Sequence, residues 1–255
     1  MRKALMRTVG RQPKLLWSVS ISWLLTGLFT VVAVGMTATA QAQFGSPPGQ
    51  GKPRGTAGGG SRPGQTTCLE NPGSGEALVA MAPTQFVGLT SQPSPGIWVQ
   101  IPRTTAKVLE FSLFTDQQAG VYQANLPISI PGLVQIVLPS EVSLTPNKPY
   151  QWTVALVCNP NQRTEDWITE GWIQHQPLNA NLQQQLSHAT LEQQIRLYTL
   201  SGFWYEALNA YLTLQQTQPE NPNLASLQAD LLRSAGLPAI ANPFPRQLLQ
   251  PQANR

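Results

Sequence analysis

Charge is scarce in this sequence, and its distribution excludes more than its amount does. Only 11% of the residues are Asp, Glu, Lys or Arg, against roughly 25% in an average soluble domain. The formal net charge is +4. Arg2, Lys3, Arg7, Arg11 and Lys14 supply that excess, and no acidic residue accompanies them among the first 42 residues. Beyond residue 42, eleven basic side chains face twelve acidic ones, a net charge of −1. No basic stripe is left to neutralise phosphates, which excludes nucleic acid as a partner.

Histidine and catalytic motifs are scarce too. His175 and His188 are the two histidines, thirteen positions apart, with no spacing to each other or to a cysteine that suits zinc. Gly58-Gly59-Gly60-Ser61 has the glycines of a phosphate cradle, but no Lys-Ser/Thr pair follows and no strand precedes it. Ser74 in Pro72-Gly73-Ser74-Gly75 lacks the G-x-S-x-G spacing of a nucleophile elbow and reads as a surface turn. No dinucleotide fingerprint occurs. The sequence therefore implies no metal or cofactor, and it points away from an enzyme.

The features that are present begin with an export signal over residues 1–42. Five positive charges precede a charge-free run from Leu15 to about Gly35, and Ala40-Gln41-Ala42 has the A-x-A form of a cleavage site. Positive charge before the apolar run keeps the N-terminus in the cytoplasm and sends the chain beyond the run across the membrane. The alternative is an uncleaved anchor, since the run approaches the ~20 residues that span a bilayer. In either case the expectation is an extracytoplasmic protein, periplasmic, cell-surface or secreted, touching a membrane only through the N-terminal segment if that is retained.

Export makes the two cysteines informative. Cys68 and Cys158 both lie in the translocated part and have one intramolecular connectivity, so a disulfide is expected, with two buried free thiols as the alternative. Closing a loop of about ninety residues constrains the unfolded chain by roughly 4–5 kcal/mol in the entropy model.

A Gly/Pro-rich stretch over residues 43–66 has no periodic apolar pattern and predicts a flexible linker. From about Ala77 to His175 short alternating runs follow, separated by Pro and Gly turns. Leu78–Met81, Ile97–Ile101, Val108–Thr115, Val121–Asn125, Leu133–Leu138, Tyr150–Cys158 and Ile168–His175 predict about seven strands. Tyr150, Trp152, Val154, Leu156 and Cys158 share one face of theirs. The fold class expected is α+β: an antiparallel, Greek-key-like β-sandwich over 67–177, then a helical region over 178–255 that packs on it.

In that helical region Leu178, Leu182 and Leu186 form one stripe, and Thr190 with Gln193 forms a capping box before a helix that Gly202 stops. Trp204, Ala207, Leu208, Tyr211 and Leu212 make a further stripe. Asn221 as cap and Pro222 at the first helical position open a last helix, which Gly236 and Pro238 close. The spacing Tyr198, Gly202, Ala207, Tyr211, Pro219 resembles a single tetratricopeptide unit, a helical hairpin too short to form a peptide-binding superhelix.

Several separate motifs occur in one order. They are the Gly-rich lead into Cys68, Ala77-Leu78-Val79-Ala80 followed by Gly88-Leu89-Thr90, Leu156-Val157-Cys158-Asn159-Pro160, Glu170-Gly171-Trp172-Ile173-Gln174, and Gly202-Phe203-Trp204-Tyr205-Glu206-Ala207-Leu208. Together they resemble, from about Gly58 to Ile240, a family of exported cyanobacterial proteins catalogued as domain of unknown function 928. That resemblance implies an extracytoplasmic location and a shared fold, and it brings no activity with it. Asn159 stands where Asp is the more usual residue, so no carboxylate role is carried to that position.

The densest polar cluster runs from Asn159 to Glu170. Arg163, Glu165, Asp166 and Glu170 lie beside Trp167 and Trp172. Paired carboxylates near aromatic rings suit glycoside hydrolysis or a stacking platform, while a solvated connection with an Arg163 ion pair is the plainer interpretation. Arg163, Asp166, Trp167, Glu170 and Trp172 are the candidate binding residues. The function expected is a non-catalytic interaction module of the envelope or periplasm, with another exported or envelope protein as partner. A carbohydrate- or peptide-binding domain using Trp167 and Trp172 is the second expectation, and an uncharacterised hydrolase the third.

Overall fold

The computed structural model describes residues 68–70, 76–237 and 246–249. The export signal over 1–42, the linker over 43–66, the turn at Ser74 and the helix stop at Pro238 lie outside the described residues.

The fold is mixed α+β, with two sheets and four α-helices among the described residues. One sheet has the order β2 (Gly88–Thr90), β8 (Trp167–His175), β7 (Pro149–Leu156), β4 (Val108–Thr115), β5 (Gly120–Pro127). The other has the order β1 (Val79–Ala80), β3 (Gly96–Ile101), β6 (Gly132–Val137), β9 (Arg246–Leu249). Most pairs are antiparallel, as the alternating runs predict. Two edge pairs are parallel instead, β2 with β8 and β6 with β9. Neither β2 nor β9 has an alternating pattern long enough to announce a strand, so both exist through their neighbours.

Period-two alternation explains the core. Leu109, Phe111 and Leu113 of β4 sit in register with Leu156, Val154 and Trp152 of β7, and all six are fully buried. Ile97 and Val99 of β3 pair with Ile136 and Val134 of β6 in the same way. These side chains join one hydrophobic cluster between the sheets, each stabilising the fold by about 1.5–3 kcal/mol on burial. The Thr169 hydroxyl accepts from the Ala80 N–H at 3.0 Å and ties β8 to β1. Strand β7 ends at Leu156, two residues before the expected limit, so Cys158 lies in the following connection.

Four helices come next: α1 (Ala180–Ser187), α2 (Leu191–Leu200), α3 (Trp204–Thr217) and α4 (Leu224–Ser234). Thr190 and Gln193 form the expected capping box at the start of α2. Gly202 and Gly236 adopt φ of +79° and +70° at the ends of α2 and α4, conformations that favour glycine. The start of α4 differs from expectation. Asn221 Oδ1 accepts from the Asn223 N–H at 2.9 Å, a side-chain turn that delays the helix to Leu224.

The helices are not a satellite. Trp204, Tyr205, Ala207 and Leu208 of α3 belong to the same apolar cluster as the two sheets. The Trp204 indole donates to the Met81 carbonyl at 2.8 Å, and the Trp98 indole on β3 donates to Asn209 on α3 at 2.6 Å. Residues beyond α4 return to the sheet as β9 instead of remaining helical.

Candidate functional site

The polar cluster is built on the connection between β7 and β8. A single turn of 3-10 helix, Arg163–Glu165, presents Arg163 toward the five-stranded sheet. Its guanidinium donates to both Glu110 carboxylate oxygens, at 3.1 and 3.2 Å, and also to Asp166 Oδ2. Bonds to Glu110 first, and then to Asp166, push the Arg163 pKa further up. Asp166 Oδ1 accepts from the Cys158 N–H at 3.1 Å. Arg163 is thus a clamp that holds the connection on β4. The guanidinium is 45% exposed while the Asp166 and Glu110 side chains are 2% and 21% exposed, and solvent around the Arg163 end limits what the pairs contribute.

Register then separates the two tryptophans. Trp167 and Trp172 are five positions apart on one continuous strand, so they face opposite sides of the sheet. Trp167 packs against the main core. Trp172 shares the outer face with Glu170, and Glu170 accepts from Gln151 at 2.7 Å while Gln151 accepts from Gln118 at 2.6 Å. The indole N–H groups of Trp167 and Trp172 are buried without a hydrogen-bond partner. The structure therefore brings Arg163 and Asp166 together, places Glu170 with Trp172, and leaves Trp167 on the other face.

Cys68 and Cys158 form a disulfide with their Cα atoms 5.3 Å apart, ninety positions apart in sequence. The Cys68 carbonyl accepts from the Thr105 N–H at 2.8 Å and from the Thr104 hydroxyl at 2.6 Å, which fixes the chain entering the domain to the loop between β3 and β4. The bond fits an oxidising environment. Among the described residues no helix is long and apolar enough to cross a membrane.

Two features escape sequence reasoning. Glu206, in the first turn of α3, accepts with Oε1 from the Ser91 N–H at 2.7 Å and from the Ser91 and Thr90 hydroxyls at 2.9 Å. Its Oε2 is buried without a partner. Burial pushes the carboxyl pKa up, against the opposing pull of the Ser91 and Thr90 bonds. A carboxylate inside the apolar run Phe203-Trp204-Tyr205-Glu206-Ala207-Leu208 is the signal that finds it.

The second is the position of β5. Among the described residues this strand is the outermost of its sheet; it carries no charged residue and exposes five of its eight residues: Gly120, Val121, Gln123, Asn125 and Pro127. Its alternation is legible in the sequence, but its place at an edge is not.

Of the histidines, His175 is buried with Nδ1 3.2 Å from the Leu144 carbonyl, and His188 caps α1 in an exposed position. Among the described residues no group of three or more His, Cys, Asp or Glu side chains is placed to hold a metal ion.

The family described as Domain of Unknown Function (DUF928) matches residues 57–244. No curated protein matches the chain.

Proposed function

Because the chain belongs to the DUF928 family, whose description names no activity, we propose a function from its own residues: a non-catalytic interaction module that works outside the cytoplasm, in the envelope or periplasm, and binds another exported protein. The edge of β5, which no other described strand covers, carries this proposal. An outermost strand presents N–H and C=O groups with no partner in its own sheet, and an extended segment of another protein can add to it as a further strand. The helices offer less, because α3 spends its apolar residues inside the shared core. Export is supported by the basic start, the apolar run, the A-x-A site and the disulfide.

The finer architecture belongs to the same proposal. With parallel β9 and β2 added at the edges, the order β1-β3-β6 against β8-β7-β4-β5 supports reading the two sheets as a Greek-key-like sandwich. The α2–α3 pair, closed by Gly202 and by Tyr198 against Phe203 at 6.4 Å, is read as one tetratricopeptide-like unit.

A photo-crosslinking residue at Gln123 should capture a defined exported protein in the native envelope, and one at the exposed Leu200 should not. Equal capture at both positions, or none at either with the domain folded, would remove the β5 edge as the binding surface.

A glycan or peptide ligand on the outer face is the second proposal; Trp172 and Gln151 are buried there, so the ring is no open stacking platform, and what supports the reading is the Trp172 indole N–H left without a partner near Glu170. Trp167, on the opposite face, does not take part in that site. Glycan-array or peptide binding that survives Trp172→Phe unchanged would dismiss it.

A further inference from the structure

Strand β6 lacks the usual guards of a sheet edge. Gly132–Val137 contains no charged residue and no proline, and its register with β3 runs unbroken from Gly132↔Ile101 to Val137↔Gly96. Charge, proline and bulges are what keep natural edges from pairing with foreign strands. Leu133-Val134-Gln135-Ile136-Val137 has, besides, the high β-propensity and low charge of segments that pair readily. Its edge away from β3 is covered by one described strand, β9, which arrives from beyond α4. That cover is slight. Strand β9 has four residues against the six of β6, and Gly132 and Val137 have no partner in it. The pairing is parallel, the weaker kind per residue. The family-matched span, 57–244, contains every other described strand and all four α-helices, and it ends before β9.

We propose that β9 is an exchangeable occupant of a peptide-binding edge on β6, where an extended segment of another exported protein pairs parallel to β6 and displaces it. This edge belongs to the other sheet and stands independently of β5, sharing with the earlier reading only the exported partner. The chain's own segment, seated there, shows how a ligand binds: Arg246 to Leu249 run in register with Leu133 to Ile136. Main-chain hydrogen bonds supply the affinity of such a pairing, and alternate positions supply its selectivity. Val134 and Ile136 are fully buried on the core side. An incoming segment therefore needs uncharged residues in register with them, as Gln247 and Leu249 are, while Arg246 is in register with Leu133.

Competition decides which occupant can win. The chain's own β9, joined to α4 through positions 238–245, is present at an effective concentration on the order of 1 mM. The β9 of a second copy brings the same four residues and gains nothing over it at lower concentration. A different segment wins by pairing along all of β6, since Gly132 and Val137 are left unused by β9.

Hydrogen exchange of the full chain is the first test. The β9 amides should exchange at least about a hundredfold faster than those of β3, because β9 opens while the sheet stays closed. The second test uses a labelled peptide of residues 244–252. With an intrinsic Kd of about 100 μM against ~1 mM of tethered β9, about one chain in eleven is open. The peptide should therefore bind Gln247→Pro/Leu248→Pro, whose β9 cannot pair, roughly tenfold more tightly than the wild type. A photo-reactive form should crosslink to Gly132–Val137, and Leu249→Asp in the peptide should weaken binding at least about tenfold. Exchange of β9 only together with β3, equal peptide affinity for the two proteins, or indifference to the aspartate overturns the proposal. Crosslinks on Gly120–Pro127 also overturn it and assign the peptide to the β5 edge. A full-chain dimer at about 10 μM that the two prolines abolish would make a second copy the occupant, against the proposal. If the proline variant does not fold, exchange in the wild type decides alone.

Discussion

The Tyr205 hydroxyl on α3 lies 2.9 Å from the Trp152 indole nitrogen on β7 and accepts its hydrogen bond inside the core. The same hydroxyl donates to the Trp172 carbonyl at 3.1 Å. One side chain thereby joins a helix to two adjacent strands, and burial pushes its phenol pKa up, the Trp152 bond opposing. Tyr205→Phe keeps the ring and leaves the Trp152 N–H without its partner. The expected loss is about 1–3 kcal/mol, the usual cost of an orphaned buried donor. Urea unfolding measures it, and a loss below about 0.5 kcal/mol would show that the bond contributes nothing net.

Gly171 sits where strand β8 crosses the large ring of β7. A Cβ there would run into the Trp152 indole and the Ala82 methyl. Trp152 is fully buried and has no room to withdraw. Gly171→Ala should cost about 1–3 kcal/mol through overpacking. Gly120→Ala is the control, since nothing stands near a Cβ at that position. Thermal unfolding of the two variants should separate them clearly, and equal melting temperatures would contradict the packing described.

Reduction of Cys68–Cys158, or Cys158→Ser, should lower stability by roughly 2–5 kcal/mol. The bond ties the chain entering the domain to the connection after β7, so its loss should expose residues before β1 to protease first. The folded, oxidised protein should take up no alkylating agent. Two modified thiols in the intact mass would refute the bond in solution.

Glu206 makes stability depend on pH in an unusual direction for a carboxylate. Its folded pKa is raised by burial, so the folded state holds the proton more tightly than the unfolded state does. The contribution is fully present below the unfolded carboxyl pKa, about 4.3. It is lost as pH rises through the raised folded value, because the ionised carboxylate is disfavoured in its buried site. Glu206→Gln cannot ionise and escapes that loss. The stability difference, variant minus wild type, should therefore increase from about pH 4 to about pH 8. A difference that stays flat or falls in urea titrations at the two pH values would reject the assignment.

Several features were legible because their causes are local. The limits of β4, Val108 to Thr115, follow from an alternation that one strand carries by itself. The Thr190–Gln193 cap and the left-handed glycines Gly202 and Gly236 depend on neighbours within one turn. A pair of cysteines admits one connectivity, so the disulfide needed only a permissive compartment to be expected. The outer-face separation of Trp167 from Trp172 was also within reach, since five positions on a strand is an odd step.

Sequence alone thus determined the class of most elements, the composition of the core faces and the disulfide, all set by short-range periodicity and count. Tertiary structure decided the rest. Gly88–Thr90 becomes a strand because β8 offers it a parallel edge, and Arg246–Leu249 because β6 does. Glu206 is buried because Thr90 and Ser91 arrive from more than a hundred residues away to meet it. The exposure of the β5 edge follows from strand order, a long-range arrangement that no periodicity within Gly120–Pro127 encodes. Hydrogen bonds along a single chain segment are written in its own residues, whereas the partners across a sheet are chosen only when distant segments compete for the same edge.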